Sequence, residues 1–140
     1  MLGICGVLLA GGQARRIGGG DKCLLKIGER TLLHHVIARA LPQVEDLILN
    51  TNSEPGRFSA FGLPVVADTF EGYLGPLAGI LAGMRWAESQ PGITHVASFA
   101  GDTPFFPKDL VARLIAVRRA NGAEIVLASS RGRTHPVFGL

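Results

Sequence analysis

Residues 3–12, with the sequence GICGVLLAGG, give the first indication of the fold. Residues 3–9 are an almost continuous apolar run that begins with glycine, the pattern of a short strand buried on both faces of a parallel sheet. Gly11 and Gly12 follow, and glycine lets a backbone approach a ligand closely because no side chain intervenes. The stretch predicts a first strand that ends at a binding site, with Cys5 packed inside the sheet.

Short β-type runs and helical patterns alternate along the rest of the chain. Further strands are predicted at residues 46–50, 64–67, 94–100 and 124–128. Helices are predicted over residues 31–41 with Thr31 as N-cap, from Pro76 onward, and over residues 107–120. Residues 129–140 form an irregular basic segment that runs into a last apolar stretch. Such alternation builds a mostly parallel sheet with helices on both faces, so the predicted fold class is α/β, with three Rossmann-like layers.

Apolar spacing also predicts which face of each later helix points inward. For the helix that begins at Pro76 the predicted inward residues are Leu77, Ile80, Leu81 and Met84. For the helix over residues 107–120 they are Leu110, Val111, Leu114, Ile115 and Val117.

Length and composition limit the class of protein. A chain of 140 residues predicts a single domain over residues 1–140, large enough to bury a core. Hydrophobic residues make up 47% of the chain and charged residues 18%, a balance that excludes a disordered protein. No apolar run reaches the ~20 residues of a membrane-spanning helix, and no basic residue precedes Arg15 to begin a secretory signal. We therefore expect a cytoplasmic protein without a membrane partner.

Charge and cysteine content exclude two further classes. The net charge is only +3 and the 14 Lys and Arg residues are scattered, so no nucleic-acid partner is expected. The two cysteines, Cys5 and Cys23, are too few for a disulfide framework and do not form a CxxC metal site.

Polar residues follow each of the first four predicted strands. In parallel α/β sheets, ligands bind at the carboxyl ends of the strands, so these positions are the ones that matter for function. They are Gly11, Gly12, Arg16 and Lys22 after the first strand, Asn50 at the end of the second, Asp68 after the third and Asp102 after the fourth. Backbone amides, cations and carboxylates at one edge predict a site for phosphate and a metal ion.

Two common glycine-rich phosphate motifs do not fit. A P-loop needs G-x-x-x-x-G-K-[ST], but Lys22 lies between Asp21 and Cys23. A dinucleotide fingerprint needs an acidic residue at the end of the next strand, where this chain has Asn50.

A different family carries the pattern seen here. Residues 9–22, LAGGQARRIGGGDK, fit L-A-G-G-x-x-x-R-[MI]-G-x-x-D-K directly after an N-terminal strand. Together with Asn50, Asp68, GPLAG at residues 75–79, DTPF at 102–105 and HP at 135–136, they resemble the molybdenum cofactor guanylyltransferases, which are MobA-like nucleotidyltransferases. The resemblance covers essentially the whole chain. Family members usually continue past the HP motif, so a chain that ends at Leu140 is expected to be truncated or unusually short.

The resemblance implies an activity and a set of site residues. It implies Mg²⁺-dependent transfer of GMP from GTP to the phosphate of molybdopterin, which forms the guanine dinucleotide cofactor and pyrophosphate. The nucleotide would be held by Leu9, Ala10, Gly11, Gly12, Lys22, Asn50, Asp68 and Asp102. Arg16, Lys22 and Asp102 would be catalytic, and Asp102 would also bind Mg²⁺. Related cytidylyltransferases show L-A-A-G at residues 9–12, so the sequence favours guanine.

The implied acceptor phosphate is already largely dianionic at pH 7 and needs no general base.

Several alternatives stay open at this point. Arg131, Arg133 and His135 either face that phosphate or form a plain basic loop. A CTP-using molybdopterin enzyme, another small nucleotidyltransferase and a non-catalytic nucleotide-binding module are the rival functions. Transient contact with cofactor-insertion proteins or molybdoenzymes is a further expectation.

Overall fold

A six-stranded mixed sheet is the centre of the computed structural model, which describes residues 3–10, 22–52, 55–68 and 76–140. In chain order the strands are β1 (Ile4–Leu9), β2 (Lys26–Ile27), β3 (Arg30–Thr31), β4 (Asp46–Asn50), β5 (Val65–Val66), β6 (His95–Ala100), β7 (Leu127–Ser130) and β8 (Arg133–Gly139). The helices are α1 (Leu32–Ala40), α2 (Pro76–Glu88) and α3 (Leu110–Asn121), with short 3-10 helices at Lys22–Leu24, Leu41–Gln43 and Pro55–Phe61.

The strands of the main sheet lie in the order β5-β4-β1-β6-β8-β7, and β2 and β3 form a separate small hairpin. The four strands from β5 to β6 are parallel, whereas β8 runs antiparallel to both of its neighbours. Leu9 lies opposite Asn50 on one side and Ala100 on the other, and Asn50 lies opposite Val66. The carboxyl ends of the parallel strands are therefore level with one another.

Helices cover both faces of this sheet. The alternating side chains of β1 divide between two cores, since Ile4 and Leu8 belong to one and Cys5 and Val7 to the other. The larger core contains buried residues of α1 and α3, among them Leu33, Val36, Leu110, Val111 and Leu114. The smaller core contains Ala87 of α2. The three-layer α/β prediction is confirmed.

The starts and ends of the helices follow local chemistry. Thr31 Oγ1 accepts a hydrogen bond from the backbone N–H of His34 at 3.0 Å, which confirms the predicted N-cap of α1. Gly122 ends α3 in the left-handed conformation, with φ of 62°. The start of α3 was predicted at residue 107, but the helix begins at Leu110. Within the described residues, no helix is both long and apolar enough to cross a bilayer.

The predicted inward face of α2 is wrong at Leu77 and Met84, while Ile80 and Leu81 are partly buried. Leu77 is 73% exposed and Met84 is 50% exposed, whereas the buried residues are Ala78, Gly79, Ala82, Gly83 and Ala87. A Cβ atom added at Gly79 would overlap Oδ1 of Asn50, and one added at Gly83 would overlap Cγ2 of Val7. The helix lies so close to the sheet that only small residues fit beneath it, so the large apolar residues are displaced outward.

The C-terminal prediction also needs correction. The last predicted strand, residues 124–128, is shifted to Leu127–Ser130. Residues 129–140, expected to be irregular, contain the end of β7, a turn and the antiparallel partner strand β8. Arg131 and Gly132 form the turn with φ of 51° and 77°, a tight turn that the predicted segment did not include. On α3, Val117 was predicted to face inward but is 48% exposed, while Leu110, Val111 and Leu114 are buried.

Candidate functional site

The candidate site lies at the carboxyl edge of the four parallel strands. Leu9 is the last residue of β1 and Asn50 the last of β4, while Asp68 and Asp102 each follow the end of a strand by two residues. The backbone of Lys22 begins the 3-10 helix Lys22–Leu24. Three further candidates, Gly11, Gly12 and Arg16, lie outside the described residues.

Backbone hydrogen bonds hold this edge level beyond the ends of the strands. The N–H of Ala10 donates to Asn50 O at 2.9 Å, and the N–H of Gly101 donates to Leu9 O at 3.0 Å. The N–H of Thr51 donates to Val66 O at 3.1 Å. The four turns that leave the strands therefore start from fixed positions.

Asn50, Asn52 and Asp68 form a hydrogen-bonded network at one side of this edge. Nδ2 of Asn50 donates to Asp68 Oδ1 at 2.9 Å and to Val66 O at 3.1 Å. Nδ2 of Asn52 donates to Asp68 Oδ2 at 2.9 Å, and the N–H of Asp68 donates to Asn52 Oδ1 at 2.9 Å. Two amide groups therefore fix the Asp68 carboxylate, and the described residues supply no ion pair to it.

Asn50 is the most enclosed member of this network. Its side chain is only 4% exposed, and α2 covers it where the chain has Gly79. The small residues of α2 lie against Asn50, Leu9 and Val7. The helix therefore fixes the orientation of Asn50, the residue that in turn orients Asp68.

Asn52 is the residue of this network whose contact the sequence did not predict. An asparagine just after a strand is typical of a turn-forming residue. Asn50 and Asn52 are two residues apart, and in extended chain such residues point to the same side. That spacing was the available signal that both amides could reach one carboxylate.

Asp102 lies in the turn after β6, next to the end of β1. A Cβ added at Gly101 would lie 3.1 Å from Leu9 O and 3.3 Å from Ala10 Cα, so the two turns are in close contact there. Cys23 Sγ lies 3.9 Å from Ala10 O, so residues on both sides of the glycine-rich stretch also meet at this point. Asp102 is partly exposed and directly follows Gly101.

Metal binding in the described part of the chain would depend on individual carboxylates at the carboxyl edge rather than on a cluster of ligands. No group of three or more His, Cys, Asp or Glu residues there could hold a metal ion. Mg²⁺ usually keeps several waters and binds through one or two carboxylates together with substrate phosphates. Asp102 fits that mode of binding, in which the nucleotide supplies the remaining ligands.

A cleft of about 300 Å³ lies beside Pro104 and Phe105, shortly after Asp102 in the chain. Its lining residues are Ile27, His35, Ala38, Arg39, Pro104, Phe105 and Lys108. Nη1 of Arg39 donates to Phe106 O at 2.7 Å, so a hydrogen bond to the backbone beside the cleft holds this guanidinium in place. The cleft contains none of Asn50, Asp68 or Asp102.

Two groups with shifted pKa values lie at the opposite, amino-terminal edge of the sheet. Burial, together with the charge of Asp46, raises the pKa of the Cys5 thiol to about 11. Burial, together with the charge of Arg118, lowers the pKa of His95. Both groups lie near the starts of their strands, so we attribute these shifts to packing rather than to the candidate site.

Comparisons with known proteins place this geometry in a family. The MobA-like NTP transferase domain family matches residues 6–140. The molybdenum cofactor guanylyltransferase of Mesorhizobium japonicum is 54% identical over 137 residues, which cover 98% of this chain and 66% of that protein. The protein of the same name from Bradyrhizobium sp. is 56% identical over 136 residues, which cover 96% of this chain and 64% of that protein. The chain therefore spans just under two thirds of the length of these relatives.

Solved structures show the same fold. The structure of an Rv0371c homologue from Mycobacterium sp. strain JC1 has a TM-score of 0.76 and 26% identity over 98% of this chain and 69% of that chain. Molybdopterin-guanine dinucleotide biosynthesis protein A of Archaeoglobus fulgidus has a TM-score of 0.71 and 19% identity over 96% and 65%. Rv0371c of Mycobacterium tuberculosis in complex with manganese has a TM-score of 0.68 and 23% identity over 99% and 70%.

Proposed function

Since the chain belongs to the MobA-like NTP transferase family, we propose that it transfers GMP from GTP to the phosphate of molybdopterin and releases pyrophosphate. The relatives from Mesorhizobium and Bradyrhizobium are named for this activity, and each matches nearly the whole chain. Localisation in the cytoplasm is part of the proposal, because this is a biosynthetic activity on soluble substrates.

The Asn50, Asn52 and Asp68 network is the observation that carries the proposal. Each carboxylate oxygen has two acceptor positions, so Asp68 keeps accepting capacity after its bonds to the two amides. A carboxylate oriented in advance is suited to the hydrogen-bond donors of a nucleotide. Little ordering is then left for the moment of binding. In the proposed complex this network, with Leu9, Ala10, Gly11 and Gly12, holds GTP.

The remaining candidate residues have roles in the proposed phosphate chemistry. An oxygen of the acceptor phosphate bonds to the α-phosphorus of GTP, and the bond from that phosphorus to the leaving pyrophosphate breaks. In the proposed step, Arg16 and Lys22 supply the positive charge that binds the triphosphate and stabilises the charge that moves onto pyrophosphate. Bound Mg²⁺ would supply further charge stabilisation at the phosphates. Asp102 would be its protein ligand, and a structural relative with this fold is in complex with manganese.

The acceptor explains why the site needs no general base. A phosphate monoester has a second pKa of about 6, so at pH 7 it is largely dianionic and already nucleophilic. The proposed chemistry therefore depends on position and charge alone, which is what the carboxyl edge offers.

Titration calorimetry tests the proposal directly. The purified chain is titrated with GTP, CTP, ATP and UTP, each with Mg²⁺, and the GTP titration is repeated for Asp68→Ala, Lys22→Ala and Asp102→Ala. We expect GTP to bind at least about tenfold more tightly than the other nucleotides, because each site hydrogen bond to a charged group contributes on this scale. All three variants should bind GTP more weakly, and Asp102→Ala should also remove most of the increase in GTP affinity that Mg²⁺ provides.

Two controls complete this experiment. Asp109→Asn changes an exposed carboxylate remote from the carboxyl edge and should leave GTP binding unchanged. Pyrophosphate release on addition of molybdopterin then identifies the acceptor. Preference for CTP would assign the chain to the cytidylyl branch, and binding without pyrophosphate release would contradict the proposed transfer.

A further inference from the structure

The topology places the hairpin of β7 and β8 beside Asp102. Ser98 of β6 lies opposite Gly139 of β8, and the two strands are antiparallel. Followed back from Gly139, β8 runs toward the carboxyl edge of the parallel strands, the direction in which β6 leads to Asp102. His135 and Gly139 lie opposite the adjacent residues Ala128 and Leu127, so β8 is bulged between them. At about 3.3 Å per residue, Ser130 lies ~10 Å along β7 from Leu127 in the same direction. The hairpin turn therefore reaches the edge that holds the candidate site.

A cluster of three aromatic rings fixes the hairpin to the loop that contains Asp102. The ring of Phe138 lies 5.5 Å from that of Phe106, which lies 5.2 Å from that of Phe99. Phe106 is buried and follows Asp102 by four residues, and Phe99 belongs to β6. The position of the hairpin turn relative to Asp102 is thus set by core packing.

The hairpin turn is an exposed cationic surface. It carries Arg131, Arg133 and His135, all exposed, and residues 127–140 contain no Asp or Glu. No described residue forms an ion pair with either arginine. His135 Nε2 lies 2.7 Å from Ser130 Oγ, so a contact across the hairpin holds the imidazole. Arg133 and His135 are two residues apart on β8, so they point to the same side.

This surface lies on the side of Asp102 that the proposed nucleotide does not use. Asn50 and Asp68 belong to β4 and β5 on one side of β1, whereas β8 and β7 follow β6 on the other. Arginine binds phosphate through paired N–H groups, and the acceptor carries a phosphate dianion. We propose that Arg133 and Arg131, with His135, bind the phosphate of the acceptor next to Asp102. This inference rests on the proposed function and adds the acceptor subsite to it.

Equilibrium binding of molybdopterin under anaerobic conditions tests the subsite. Kd values for molybdopterin and for GTP with Mg²⁺ are measured for the unchanged chain, Arg133→Ala and Arg131→Ala. We expect Arg133→Ala to raise the molybdopterin Kd about tenfold or more, the loss typical of a hydrogen-bonded charge pair, with the GTP Kd within about twofold. An unchanged GTP Kd also shows that the variant is folded.

Two matched variants make this test specific. Arg119→Ala removes the same charge near the far end of α3 and should change neither Kd. Lys108→Ala removes a cation from the cleft beside Phe105 and should also leave molybdopterin binding unchanged. If Lys108→Ala has the larger effect, or if both hairpin variants bind molybdopterin as tightly as the unchanged chain, the subsite assignment is wrong. If the unchanged chain binds GTP but not molybdopterin, the acceptor in the proposed function is wrong as well.

Discussion

The two halves of the carboxyl edge are built in opposite ways. At β4 and β5 the polar groups are tied to one another, and Asn50 is buried under α2. At the β7–β8 hairpin the polar groups are exposed, cationic and without ion pairs among the described residues. The first half presents hydrogen-bond acceptors in fixed orientations, which suit neutral donors. The second half presents exposed cations, which suit an anion. The difference suggests that two substrates with different chemistry meet at Asp102 between them.

The close approach of α2 is what makes the first half rigid, so Gly79→Ala should have the largest effect. The added Cβ overlaps Oδ1 of Asn50, and overpacking of this kind costs about 1–3 kcal/mol of stability. Relief of this overlap displaces the Asn50 amide relative to α2 and disturbs its bond to Asp68, so we expect GTP affinity to fall about tenfold or more as well. Chemical denaturation and calorimetry measure the two quantities.

Gly83→Ala is the matched control for this substitution. Its added Cβ overlaps Val7 rather than a polar residue of the site. We expect a comparable loss of stability with GTP affinity close to that of the unchanged chain. Equal losses of GTP affinity in both variants would mean that α2 acts only through general stability.

A smaller effect is expected from Asp68→Asn, which tests the network itself. The substitution places an NH₂ group where one oxygen accepts from Asn50 or Asn52, so two donors face each other. Losing a partner in this way costs roughly 1–2 kcal/mol of unfolding free energy. Asp109→Asn breaks an exposed pair with Arg113 at 3.6 Å and should cost at most about 1 kcal/mol. Identical denaturation curves for the two variants would show that the network contributes no stability.

The smallest predicted effect lies at the opposite edge of the sheet and is a function of pH. Burial lowers the pKa of His95, so between the lowered and the ordinary value the unfolded chain binds more protons than the folded one. Stability should therefore rise with pH through that window and fall on acidification. This pH dependence is measured as the unfolding free energy of the unchanged chain and of His95→Gln at pH 7.5 and pH 5.5. The variant should lose less unfolding free energy on acidification than the unchanged chain. Equal losses would contradict the assigned cause.

The layers of the fold were predictable because the spacing of apolar residues indicates which residues are buried. The same spacing does not indicate how closely a helix approaches the sheet. The Thr31 cap and the buried run of β1 depend on local chemistry, and both were predictable. The exposure of Leu77 and Met84 on α2 was not predicted, because only small residues fit where this helix lies directly against strand side chains. The β7–β8 hairpin was missed because its turn forms at Arg131, a residue type not typical of that conformation.

The same distinction applies to the candidate site. The position of Asn50, Asp68 and Asp102 after successive strands was predictable, since parallel strands bring their carboxyl ends to one edge. The contact of Asn52 with Asp68 and the approach of the hairpin to Asp102 depend on tertiary packing, which no single segment of sequence reports.

NMR of the ¹⁵N-labelled chain, titrated with GTP and Mg²⁺, is the most direct test of how this edge is divided. Nitrogen-bound protons report on both halves, through the side-chain amides of Asn50 and Asn52 and the Nε–H of Arg133. We expect GTP to shift both amides strongly and to leave Arg133 nearly unchanged until molybdopterin is added. Shifts at Arg133 with GTP alone, and none at Asn50 or Asn52, would contradict the division of the edge into a nucleotide half and an acceptor half.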